Sequence, residues 1–119
     1  MYTQILVGRA VGRHIYGSLY GCPRELLSSH EYIKEVVIEA VKAAKATLCQ
    51  VEAYHVENYI AAIAIVMESH IAIHAWPDHN YATVDVYTCG DTDTDAAFNY
   101  IIEKLKPKKY TKYFADRSS

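Results

Sequence analysis

Four residues near the middle of the chain are of types that could do chemistry together: Glu68, Ser69, His74 and Cys89. A serine hydroxyl is a nucleophile once its proton is removed, and an imidazole is the usual base near neutral pH. A thiol can hand a proton back, because its pKa lies near working pH and moves easily with its surroundings. The group follows the run 60–67, IAAIAIVM, which is almost wholly apolar, so polar chemistry interrupts what would otherwise be a buried strand. Ser69 and His74 are five apart; in an unbroken strand they point to opposite faces, and cooperation within one chain calls for a bend or bulge near Glu68-Ser69 or between the two residues. His70 and His74 share a face, as do Thr83, Asp85, Tyr87 and Cys89 on the following strand. A zinc site built on His70, His74 and Cys89 lacks an evident fourth ligand, and no GxSxG elbow supports a serine hydrolase. Taken one at a time, the serine reads as a satisfied hydroxyl and the cysteine as a small buried hydrophobe.

The elements that must position these residues can be read from periodicity and punctuation. Residues 12–20, GRHIYGSLY, alternate as a strand that stops at Gly21-Cys22-Pro23. Ser28 with Glu31 forms a capping box, and Ile33, Val36, Val37, Ala40, Val41 and Ala44 make a helical apolar stripe that must lie on a sheet. Residues 47–56 and 59–67 read as a hairpin turning at Glu57-Asn58, and 71–76 as a further extended segment ending at Pro77. Asp78-His79-Asn80 turns into another alternating strand, 81–88, which Gly90 closes. A second helix starts from a cap at Thr92 or Asp93 and runs to about Leu105, with Ala97, Ile101 and Leu105 inward and Pro107 beyond its end. The tail KKYTKYFADRSS reads as a polar segment that docks weakly or frays. This order predicts an α+β fold: a two-layer arrangement of antiparallel sheet with helices on one face. Aromatic and aliphatic residues on the other face call for cover, most simply from a second copy of the chain.

At 119 residues the chain is expected to be a single domain, 1–119, since two independent cores would not fit. A net charge of -2 gives no basic field for nucleic acid, and no apolar run is long enough to span a membrane. The N-terminus lacks the charged start and apolar middle of a signal peptide, so a cytoplasmic location is expected. Three cysteines without a CxxC pair predict reduced thiols rather than disulfides.

The segments ESH at 68–70, IH and WPD across 73–78, YATVDVYTCGD at 81–91, GRH at 12–14 and LYGC at 19–22 together resemble the small prokaryotic S-adenosylmethionine decarboxylases. The resemblance spans residues 12 to about 105. It implies a proenzyme that cuts itself between Glu68 and Ser69, giving chains 1–68 and 69–119, with Ser69 becoming an N-terminal pyruvoyl group. By that resemblance the Ser69 hydroxyl attacks the Glu68 carbonyl. His74 is then the base for elimination of the resulting ester. The pyruvoyl ketone forms a Schiff base with the substrate amine and serves as electron sink without pyridoxal phosphate or metal. Cys89 corresponds to the proton donor in turnover. The implied architecture is an αββα sandwich of two protomers with active sites at the interface.

Three positions depart from the family pattern. The family carries a phenylalanine that stacks on adenine where this chain has His55, a serine that assists self-cleavage where it has Ala61, and a ribose-binding glutamate where it has Asp78. The resemblance implies decarboxylation of S-adenosylmethionine for spermidine synthesis, with His55 and Asp78 at the substrate-binding positions. It leaves open the same chemistry on arginine or ornithine, and an unprocessed homologue acting as a binding or regulatory module.

Overall fold

The computed structural model describes residues 12–118. Residues 1–11, expected to carry no signal peptide, lie outside the described residues.

Alternation along the chain produces one antiparallel sheet. Across it run β2 (Leu48–Val56), β3 (Tyr59–Val66), β4 (Ser69–Trp76), β5 (Tyr81–Cys89) and β1 (Gly12–Tyr20). The outer edge of β1 is then lined by β6 (Lys109–Tyr110) and β7 (Tyr113–Asp116). The turns joining β2 to β3 and β3 to β4 have two residues each, Glu57-Asn58 and Met67-Glu68. Glu57 and Glu68 adopt left-handed backbone, with φ of 52° and 61°, as such tight connections demand.

The helices pack on one face of the sheet, as the periodicity predicts. Besides a single turn, α1 (Arg24–Leu27), there are two longer helices: α2 (His30–Ala43), over β2 to β4, and α3 (Thr94–Leu105), over β1 and β5. Ile33, Val37, Val41, Phe98 and Ile101 from the helices meet Leu19, Ile60, Ile71, Ile73 and Val84 from the sheet, all essentially without solvent contact. Each such side chain contributes about 1.5–3 kcal/mol by leaving water. Two hydrogen bonds tie the antiparallel helices at their ends. Tyr32 donates its hydroxyl to the Lys104 carbonyl (2.8 Å), and the Asp93 amide donates to the Ala44 carbonyl (2.9 Å).

Two local expectations change. The cap of α2 is Ser29, whose hydroxyl accepts from the Tyr32 amide, while Ser28 donates to the Arg24 carbonyl and closes α1. The extra turn of α1 displaces the cap by one residue. The tail does not fray; it runs along β1 through Arg117, whose amide donates to the Gly12 carbonyl at 2.7 Å. Gly17 makes this possible, because a Cβ there would lie 1.9 Å from the Thr111 carbonyl oxygen. Only a residue without a side chain lets the tail approach so closely.

The face of the sheet away from the helices is open. Tyr16, Tyr20, Tyr54, Val56, Ile63 and Ile65 all lie on it and all are more than a third exposed.

Candidate active site

The bond between Glu68 and Ser69 lies where the β3–β4 turn enters β4. Its carbonyl belongs to a residue in left-handed backbone, a conformation that a side chain makes costly. Ser69 is the first residue of β4 and is 9% exposed. Its hydroxyl accepts a hydrogen bond from the Cys89 amide at 3.0 Å. A buried hydroxyl fixed in this way has little rotational freedom left, and it sits directly beside the end of β5.

Cys89 is held as firmly. The Thr92 hydroxyl donates to its carbonyl (3.0 Å) and Arg13 donates to the Gly90 carbonyl (3.3 Å). Immediately before it, Thr88 shares a fully buried hydroxyl pair with Thr94, the first residue of α3. The thiol lies on the open face, 3.5 Å from the Tyr87 hydroxyl. That hydrogen bond, with burial and the nearby thiol's charge behind it, raises the Tyr87 pKa above the usual phenol value. The Arg117 guanidinium covers its ring at 5.4 Å, and the neighbouring His14 pairs with Asp85 at 2.8 Å.

His74 is not brought to this place. The pairing of β4 runs without a bulge from Ser69 to Ala75 on the β3 side and from His70 to Trp76 on the β5 side, so His74 points to the open face while Ser69 points toward the helices. Of the two places where a bend could unite them, the stretch between Ser69 and His74 is unbent, while the tight turn at Met67-Glu68 does fall beside Glu68-Ser69 but leaves the parity of the strand from Ser69 onward untouched. Five residues of extended chain separate the two by about 16 Å. His74 lies opposite Ala61, and its Nδ1 is 2.5 Å from the Tyr59 hydroxyl. The rings of Tyr59, Trp76 and Tyr81 continue this aromatic surface, at centroid spacings of 5.3 and 5.4 Å.

The remaining sequence candidates are placed elsewhere. His55 shares the register of Ile60 and so turns to the helix side of edge strand β2, where its Nε2 meets the Glu57 carbonyl at 3.1 Å. Asp78 accepts from Arg24 Nη2 and Nε, at 2.6 and 3.2 Å. His70 sits beside Tyr87, with ring centroids 5.7 Å apart. Tyr59 and Arg117 are not singled out by the sequence, and Tyr87 only by the face it shares with Cys89. Tyr59 could have been, since it is two residues from Ala61 and therefore on the same face as the missing serine hydroxyl. Two surface cavities, of about 400 and 260 Å³, are lined by other residues.

Comparison with known proteins identifies the family. The family model for S-adenosylmethionine decarboxylase matches residues 13–118. The chain is 52% identical over 111 residues to the S-adenosylmethionine decarboxylase proenzyme of Pyrobaculum neutrophilum, covering 91% of this chain and 90% of that one. It is 49% identical over 113 residues to the arginine decarboxylase proenzyme of Hyperthermus butylicus, covering 92% and 80%. The crystal structure of the adenosylmethionine decarboxylase from Aquifex aeolicus superposes with a TM-score of 0.85 at 36% identity, with 92% of each chain covered. A match along nearly the whole described chain and the same fold together place the protein: it belongs to the S-adenosylmethionine decarboxylase family.

Proposed function

We propose that the chain cuts itself between Glu68 and Ser69 and then decarboxylates S-adenosylmethionine in the cytoplasm, as a homodimer, to supply aminopropyl groups for spermidine. The observation that carries this reading is the buried Ser69 hydroxyl, anchored to the Cys89 amide at the mouth of a left-handed turn. The nucleophile is thereby hydrogen-bonded to the backbone of the residue whose thiol is meant to return a proton. A pyruvoyl group at position 69 would supply the electron sink; this chain's residues supply position and protons. Cys89 donates a proton to the substrate carbon, and its thiol is oriented by the Tyr87 hydroxyl, to which it donates at 3.5 Å. The planar rings of Trp76 and Tyr81 offer a purine a stacking surface beside His74.

The base for processing comes from a second copy in this reading. His74 is on the wrong face for its own Ser69, and the open face that carries it is too apolar to stand in water. Two sheets packed face to face would bring each His74 toward the other chain's cleavage site.

Arginine is a second reading with its own support. Asp78 is engaged by Arg24 rather than free for a ribose, and His55 faces away from His74, so both nucleoside contacts differ from the family pattern. A close relative also bears the name arginine decarboxylase proenzyme.

Intact mass measurement tests the chemistry: two chains joined at Glu68-Ser69 in the precursor must separate, with a reducible ketone on the downstream one. Release of labelled carbon dioxide from carboxyl-labelled S-adenosylmethionine, arginine or ornithine then identifies the substrate. A chain that remains whole would leave only the role of a binding or regulatory module.

A further inference from the structure

The strand carrying His74 lies against a β3 that presents no hydroxyl directly opposite it. Ala61 is directly opposite His74 across the β3–β4 ladder, so nothing in the paired position can hold the ring. Two residues earlier on the same strand and the same face, Tyr59 reaches diagonally across and sets its hydroxyl 2.5 Å from Nδ1. The reach is of the right length, since diagonal neighbours on an antiparallel pair lie within the span of an aromatic side chain but beyond that of a short one. The Tyr59 ring is itself packed against Trp76 at 5.3 Å and lies nearly parallel to the imidazole, with 22° between the planes.

We propose that Tyr59 is a positioning residue for self-cleavage, which replaces the absent hydroxyl at position 61 by anchoring His74 through Nδ1. The inference rests on the decarboxylase reading above. With Nδ1–H donated to the phenolic oxygen, the lone pair stands on Nε2, and that nitrogen is presented at the open face. From there it takes the α-proton of the ester formed at position 69, while the Glu68 carboxylate leaves with the electrons of the broken ester bond. Without an anchor the imidazole spreads over rotamers and both tautomers, and only a fraction of chains hold the base correctly. Tyr59 does not touch the reacting atoms; it acts through His74.

The test uses four forms of the full-length precursor: wild type, Tyr59→Phe, Ala61→Ser and the double variant Tyr59→Phe/Ala61→Ser. Tyr59→Phe keeps the ring packing and removes only the hydroxyl. Cleavage is followed by intact mass against time, with thermal unfolding as the control for folding. The expected result is cleavage slowed about 10- to 100-fold in Tyr59→Phe, the range for losing a hydrogen bond to an ionisable group, at an unchanged unfolding midpoint. The double variant should recover much of the lost rate, because a serine at position 61 stands directly opposite His74. A purely packing role predicts no such recovery. Wild-type speed in Tyr59→Phe, or a double variant as slow as Tyr59→Phe, would overturn the proposal. A wild-type precursor that never cleaves would instead overturn the decarboxylase reading itself, and this inference with it.

Discussion

The separation of Ser69 from His74 makes a quantitative expectation about assembly. A base must come within about 3 Å of the proton it removes, whereas five residues of uninterrupted strand hold His74 about 16 Å from its own cleavage site and on the opposite face. Ser69→Ala lacks the nucleophile and His74→Ala lacks the base, so each variant alone should remain uncut or cleave at least about a hundredfold more slowly. In cells producing both, a mixed dimer unites the intact Ser69 of one chain with the intact His74 of the other. With equal expression and random pairing, about half of the His74→Ala chains enter mixed dimers, as expected for a symmetric two-fold assembly. About half of the His74→Ala chains should therefore be cut, and none of the Ser69→Ala chains, when the two are told apart by mass. Native mass spectrometry verifies that mixed dimers form. If they do form and no chain is cut, or if His74→Ala alone matures at the wild-type rate, the trans arrangement is refuted.

Four further outcomes follow from the geometry. Cys89→Ala should still mature but lose about 10²- to 10⁴-fold in turnover per ketone, measured against borohydride-titrated sites, because only the proton donor is gone. Ile65→Lys puts a charge in the middle of the open face, where the native side chain is 49% exposed; sedimentation should show monomers, and cleavage should stop with dimer formation. Gly17→Ala pushes a methyl group into the Thr111 carbonyl, so hydrogen exchange along 109–118 should rise sharply while α2 and α3 stay protected. Burial pushes the Cys22 thiol from 9.0 up to about 11, while Cys49 is exposed. Iodoacetamide at pH 8 should then label Cys49 and spare Cys22. The folded state favours the neutral Cys22 thiol, so its contribution to stability is present below the ordinary thiol pKa and is lost as pH rises through about 11.

Much of the architecture was legible because periodicity and burial are the same physical fact seen twice. The stripe from Ile33 to Val41 became the buried face of α2, and the alternation of 81–88 became a strand whose Ala82, Val84 and Val86 face the helices. What could not be read was set by contacts between distant residues. By composition the polar tail reads as a segment that docks weakly or frays; what decides for docking is Gly17, some 90 positions earlier, which leaves room for Thr111. The single-turn α1 has no periodicity of its own, and it moves the helix cap from Ser28 to Ser29.

The site was legible as a set of residues, but which of them can meet depends on strand parity and on contacts the sequence does not display. Parity in the sequence already says that Ser69 and His74 point apart, and a single chain can reconcile them only by breaking the strand. The chain does not break it: the ladder is regular from Ser69 onward, and the left-handed residue is spent one position earlier, at the scissile carbonyl. A regular strand with chemistry on both faces is a poor active site for one protomer and a good one for two, because each face then serves a different site. The apolar open face argues in the same direction, since an arrangement that hides Ile63, Ile65 and the tyrosines also delivers His74 to its target. Dimer formation and maturation are thus one event in this reading, and any change that leaves the open face uncovered should leave the Glu68-Ser69 bond uncut.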